Sequence, residues 1–127
     1  MLYLESPAGV GFSVNNNESL APAFSDMSQS IDAFAALEVW YAGFSEFMAN
    51  PLFVSGESYA GVYVPYLSWQ IYENNLKAEW NTTLKTYNLT GFLVGNGCTN
   101  WDFDTSPSDP ETFANMQLIP PQMLRAY

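Results

Sequence analysis

Ser58 is the residue whose neighbours best equip it to act as a nucleophile. It stands in Gly56-Glu57-Ser58-Tyr59-Ala60-Gly61, with small residues two positions before and two positions after it. The apolar run Pro51-Leu52-Phe53-Val54 leads in, and a long stretch rich in aromatic and β-branched residues leads out. Strand, tight turn and helix are the setting of a nucleophile elbow. Gly56 and Ala60 let the chain turn sharply and lift the Ser58 hydroxyl above a sheet, at the mouth of a helix. The backbone N–H of Tyr59 then lies where it can hold a developing oxyanion. The same spacing also suits a plain serine cap that opens a helix after a strand. The flanking pattern favours the elbow.

A serine hydroxyl is a poor nucleophile until a base takes its proton. The usual base is a histidine oriented by a carboxylate, and these 127 residues contain no His. Along elbow-bearing hydrolases the order is Ser, acid, His. The chain therefore carries a nucleophile and one oxyanion donor without a base. The expectation is a piece of a longer enzyme; a degenerate, inactive product is the alternative.

Three segments carry a family likeness. Gly56-Glu57-Ser58-Tyr59-Ala60-Gly61-Val62-Tyr63-Val64-Pro65 resembles the active-serine segment of the serine carboxypeptidases. Leu2-Tyr3-Leu4-Glu5-Ser6-Pro7-Ala8-Gly9-Val10-Gly11-Phe12-Ser13 is similar to that family's strand-and-loop signature, and Gly91-Phe92-Leu93-Val94-Gly95-Asn96-Gly97 to its next strand and turn. The likeness spans about residues 1–105, with the segments in family order. It implies a partial α/β-hydrolase domain over residues 1–127, lacking the upstream oxyanion loop and the downstream Asp/His region. It implies a peptide or protein substrate, cut at its C-terminal peptide bond through an acyl-enzyme on Ser58. It also implies that Glu57 binds the substrate's terminal carboxylate as a neutral acid, donating a hydrogen bond, so that binding weakens as Glu57 ionises. Read without the likeness, Glu57 is a turn residue bonding a nearby backbone N–H. By the same likeness the Tyr59 side chain walls the pocket for the residue before the scissile bond; ordinary packing is the other reading. Acyl transfer to an alcohol on the same scaffold stays open, as does a chain that only binds peptides.

The elements that must position these groups follow from pattern. Residues 2–5 read as a strand ended by Glu5, whose carboxylate is expected to bond the N–H groups of the glycine loop Pro7–Phe12. Asn15 to Pro22 reads as loop. Ser25 or Asp26 caps a helix, and Met27, Ile31, Phe34, Leu37, Tyr41, Phe44 and Met48 fall on one face of it at spacings of three and four, up to Asn50-Pro51. Such a face normally packs on a sheet. A second helix runs from Tyr59 to about Tyr72, irregular at its start or kinked because Pro65 clashes with the Gly61 carbonyl, and frayed at Glu73-Asn74-Asn75. Residues 76–86 read as loop and Leu89–Val94 as a buried strand closed by Gly95-Asn96-Gly97. An exposed connection over 99–111 carries Asp102 and Asp104, neither expected in a triad. Glu111–Gln117 is a short helix and Pro120-Pro121 opens another. Alternating strands and helices mean βαβ units and a parallel sheet; the elbow selects the α/β-hydrolase fold. By resemblance a further family strand lies between residues 2–5 and 52–55 in space, and its residues are not in this chain. The isolated chain is therefore expected to be unstable on its own.

Composition narrows the function classes. At 48% hydrophobic and 17% aromatic the chain has ample core material. A net charge of −10, with Lys77, Lys85 and Arg125 the only bases, speaks against nucleic acid, which needs patches of Lys and Arg, and against anionic membrane surfaces. No segment is long and apolar enough to span a bilayer, and no signal peptide is visible. Met1 leads directly into the apolar Leu2-Tyr3-Leu4, a first hint of truncation. Cys98 is the single cysteine: either its partner lies elsewhere or it is a free buried thiol. There is no metal-ligand spacing and no phosphate-binding glycine pattern, so no metal or cofactor is expected. Sequons at Asn17, Asn81 and Asn88 mildly favour the secretory route, with a lysosomal, vacuolar or extracellular destination. Oligomeric state is not legible.

Overall fold

The computed structural model describes residues 1–16, 25–104 and 109–126. Its centre is a βαβ unit. Strand β1 (Leu52–Glu57) and strand β2 (Leu89–Gly95) pair in parallel, Leu52 opposite Leu89 and Glu57 opposite Gly95, with one irregularity between Leu52 and Phe53. Helix α2 (Ala60–Ala78) connects them, and helix α1 (Asp26–Gly43) packs against α2. Short helices α3 (Trp101–Asp104), α4 (Asp109–Asn115) and α5 (Pro121–Ala126) follow β2. A helix therefore does begin near Pro120-Pro121, and α4 starts slightly before the anticipated Glu111.

Helix α1 opens on Ser25. Its hydroxyl accepts from the Ser28 N–H at 3.1 Å, and the Ser28 hydroxyl accepts from the Ser25 N–H at 3.0 Å. This reciprocal box satisfies two donors at the helix start. The helix stops at Gly43, short of Asn50-Pro51, and the chain continues in a 3-10 turn, Ser45–Phe47. Trp40 stacks on Phe44, centroids 5.3 Å apart, and lies 5.5 Å from Phe47. Aromatic residues thus keep packing at spacings of three and four across the break, and the periodicity does not register it.

The buried face of α1 also differs from the expected stripe. Ser30, Ala33, Leu37 and Tyr41 are buried, while Met27, Ile31 and Phe44 are about half exposed. Small residues at 30 and 33 face α2 and let the two helices approach closely. The core joins Leu37, Tyr41, Ile71 and Tyr87, flanked by Leu52, Val54, Leu67 and Leu89. It therefore lies on one side of the sheet. On the other side Phe53 and Leu93 are more than half exposed, so the strand Leu89–Val94, read as buried, is half-buried here.

Two further differences concern helix and strand ends. Helix α2 does not fray at Glu73-Asn74-Asn75; it runs to Ala78. Asn75 donates to the Tyr87 carbonyl at 2.7 Å and accepts the Tyr87 N–H at 2.8 Å, and Asn74 donates to the Lys85 carbonyl at 2.8 Å. Residues typical of helix ends are here the clasp that brings the chain back into β2. Residues 2–5 are not a strand in this structure. They join no ladder, and Leu2, Tyr3 and Leu4 are exposed. A strand exists through cross-strand hydrogen bonds, and no strand among the described residues lies beside them. Glu5 does take the expected part in the glycine loop, accepting the Phe12 N–H at 2.7 Å.

Candidate active site

The turn between β1 and α2 holds Ser58 in a left-handed conformation, φ +63°. Such a conformation is uncommon for a residue with a side chain and persists only where its surroundings impose it. Three backbone hydrogen bonds do so. The Ser58 N–H donates to the Gly95 carbonyl at 3.0 Å, and the Ser58 carbonyl accepts from Gly61 at 3.0 Å and from Cys98 at 2.9 Å. Ser58 is exposed at the C-terminal end of β1, where ligands of open α/β sheets collect.

Packing explains the small residues around it. A Cβ added at Gly56 would run into the Ala60 methyl and come within 3.3 Å of Val64. A Cβ at Gly61 would stand 2.7 and 2.8 Å from the Cys98 carbonyl carbon and nitrogen. The elbow is therefore closed from two directions, by the first turn of α2 and by the segment leaving β2. The helix starts irregularly, as Pro65 requires. Gly61 and Val62 donate three residues back, to Ser58 and Tyr59, at 3.0 and 2.9 Å, and the helix then continues through Pro65. Tyr59 occupies the N-cap position of α2, where the helix dipole favours negative charge.

The other candidates are distributed around this turn. Glu57 ends β1 beside Gly95, exposed, and makes no ion pair among the described residues. Its side chain thus stands next to the elbow and open to solvent. The Tyr59 ring packs on Tyr63, centroids 4.8 Å apart, and its phenol donates to Asp26 at 3.2 Å. Burial first, then the hydrogen bond and charge of Asp26, raise the Tyr59 phenol above its ordinary value of 10.0. Tyr59 and Tyr63 line a cleft of about 300 Å³ with Pro7, Ser25, Asp26 and Gln29. Gln29 is buried in α1 and donates to the Ser6 hydroxyl at 2.9 Å, fastening the glycine loop to the helix. Two tyrosines, three polar side chains and Pro7 line the cleft, which is sized for a side chain.

Some positions fall outside this cluster. Asp104 accepts from the Thr99 and Asn100 N–H groups at 2.5 and 2.6 Å, which hold its carboxyl below 3.8. It caps the turn after β2. Cys98 is half-buried and free, and its backbone contributes to the elbow. Asn81 and Asn88 lie at the far end of the sheet from Ser58, before β2; Asn17 lies outside the described residues. Among the described residues no acid cluster could hold a metal, and no helix is long and apolar enough to cross a membrane. Sequence reading did not identify Asp26, Gln29 or the Cys98 backbone as neighbours of the elbow. Asp26 is 33 positions from Tyr59, and only the packing of α1 on α2 brings them together.

A sequence profile described as serine carboxypeptidase matches residues 1–127. "Serine carboxypeptidase-like 20" of Arabidopsis thaliana is 44% identical over 104 residues, 82% of this chain and 20% of that protein. "Serine carboxypeptidase 1" of Hordeum vulgare is 40% identical over 104 residues, again 82% of this chain and 20% of the relative. Among solved structures, the Saccharomyces cerevisiae prohormone-processing carboxypeptidase Kex1(Δ)p superposes with a TM-score of 0.60 at 26% identity, covering 91% of this chain and 24% of that one. The chain spans about a fifth of the length of the curated relatives it matches. The parallel pair, the helix packing and this likeness make it part of an α/β-hydrolase fold.

Proposed function

The chain belongs to the serine carboxypeptidase family, and from that premise we propose that it is the nucleophile-bearing segment of a serine-type carboxypeptidase. Ser58 attacks the carbonyl of the last peptide bond of a peptide or protein. Its proton passes to a histidine supplied from outside these 127 residues, which contain none. The Tyr59 N–H holds one lobe of the oxyanion, the C-terminal amino acid leaves, and water releases the acyl group. Glu57 donates a hydrogen bond to the substrate's terminal carboxylate, and the Tyr59 ring walls the pocket for the preceding side chain.

The observation that carries this reading is the strained turn at Ser58. A serine forced to φ +63° and tied by backbone bonds to Gly95, Gly61 and Cys98 has no need of that geometry as a simple helix cap, for which an extended conformation is usual. The apolar surface on the open side of the sheet, Phe53 and Leu93, supports a chain that is one part of a larger fold. The likeness to a prohormone-processing enzyme and the sequons support the secretory pathway.

The test is labelling of the native source with a fluorophosphonate, followed by mass analysis of the species that carries the Ser58 peptide. The expected result is a labelled Ser58 on a protein much heavier than 14.2 kDa. A Ser58 peptide found only unlabelled, on a protein of about this size, overturns the enzyme reading and leaves an inactive product.

A further inference from the structure

We propose that Asn81 carries an N-linked oligosaccharide. The Asn81-Thr82-Thr83 sequon sits in an exposed turn three residues beyond the end of α2, and all three residues are exposed. The Asn81 side-chain oxygen accepts from the Thr83 hydroxyl at 2.7 Å and from the Thr83 N–H at 3.1 Å. Its amide nitrogen makes no hydrogen bond to the described residues, so attachment there disrupts nothing. A groove of about 330 Å³ opens beside the turn, walled by Thr83, Leu84 and Lys85 on one side and by Glu38, Val39 and Ala42 of α1 on the other. It leaves room for the first sugars.

The adjacent Trp80 offers a sugar at Asn81 a flat apolar surface. It is 90% exposed and makes no ring contact among the described residues. An indole left in water costs hydrophobic free energy. The apolar face of a pyranose ring is a natural cover for a flat aromatic surface, and a sugar on the next residue is within reach of it.

Asn88 contrasts with Asn81. Its amide nitrogen donates to the Ala49 carbonyl at 3.1 Å, and its carbonyl accepts the Leu52 N–H at 2.8 Å. It is engaged in seating the start of β1 against β2. The modification itself is a displacement. The Asn81 amide nitrogen bonds to the anomeric carbon of a lipid-linked oligosaccharide and loses one proton. The anomeric carbon–oxygen bond to the lipid pyrophosphate breaks, and the pyrophosphate leaves with the electron pair.

The proposal is independent of whether Ser58 is reactive. Peptide mapping of the protein from its native source, before and after enzymatic deglycosylation in H₂¹⁸O, tests it. The expected result is an Asn81 peptide that appears only after release, as ¹⁸O-labelled aspartate. An unmodified Asn81 peptide of equal intensity before and after release overturns it, as does ¹⁸O label confined to Asn88. A second readout uses the protein secreted from a eukaryotic host. Thr83→Ala is expected to lose one glycan in mass and Thr83→Ser to keep it; a Thr83→Ala protein that retains the full glycan mass also overturns the assignment.

Discussion

Gly61→Ala tests whether the elbow is held by the segment leaving β2. The new methyl would stand 2.7 Å from the Cys98 carbonyl carbon and 2.8 Å from its nitrogen. Carbon atoms in contact settle near ~3.5–4 Å, so Cys98 must retreat by about 1 Å. These are backbone atoms and cannot rotate aside. The Cys98 N–H reaches the Ser58 carbonyl over 2.9 Å; a retreat of that size breaks the bond. Overpacking costs about 1–3 kcal/mol and the lost bond about 1 kcal/mol, so destabilisation of about 2–4 kcal/mol is expected. Displacing a reacting group by about 1 Å can lower turnover about 100-fold. The assay is the rate of fluorophosphonate labelling at Ser58 in the intact enzyme, well below the melting temperature, beside a thermal melt. Gly43→Ala is the control. Nothing lies within 4 Å of the added methyl at Gly43, so labelling should be unchanged and stability equal or up to about 1 kcal/mol higher. A Gly61→Ala protein that melts and labels like the wild type refutes the claim that Cys98 braces Ser58.

Ser58→Gly should be more stable than Ser58→Ala by about 1 kcal/mol, because only glycine occupies φ +63° without strain; equal denaturation midpoints for the two inactive variants would contradict this. Asn75→Ala removes the acceptor of the Tyr87 N–H and one of two donors to its carbonyl, which keeps the Leu89 N–H at 2.7 Å, and is expected to cost about 1–3 kcal/mol in urea denaturation, since a buried N–H is left without a partner. The Tyr59 phenol, raised above its ordinary value by burial and then by Asp26, binds its proton more tightly in the folded protein than in the unfolded chain. Its contribution to stability is present below pH 10.0 and is lost as pH rises through the folded value. Alkaline absorbance titration should therefore show a late-ionising tyrosine that Tyr59→Phe and Asp26→Asn each abolish or shift down; an unchanged titration in both variants would remove the pair.

The elbow was legible because it rests on local chemistry. Gly56, Ala60 and Gly61 are small for reasons that act within a few residues, and the apolar runs on either side announce strand and helix. The serine cap of α1 was legible on the same grounds. What escaped depends on partners far along the chain. Met27 and Ile31 share a helical face with Phe34, yet burial on α1 is decided by where α2 lies, and Ser30 and Ala33 face it because small side chains permit contact. Asn74 and Asn75 resemble a fraying terminus until Lys85 and Tyr87 return beside them. Residues 2–5 have strand composition, but a ladder needs a neighbour as well as a propensity. Asp26 and the Cys98 backbone reach the site only through tertiary packing, and no spacing in the sequence encodes that.

The hydrogen bond from the Ser58 N–H to the Gly95 carbonyl makes the Ser58 turn a gauge of sheet assembly. Gly95 is the last residue of β2 and lies opposite Glu57. A slip of one residue between the strands would offer Ser58 a carbonyl turned the wrong way and move the Cys98 amide out of line with the Ser58 carbonyl. A mispaired chain therefore presents a serine that lacks its anchors. Under the proposed function, coupling reactivity to correct strand pairing keeps the hydroxyl unarmed until the polypeptide around it has folded.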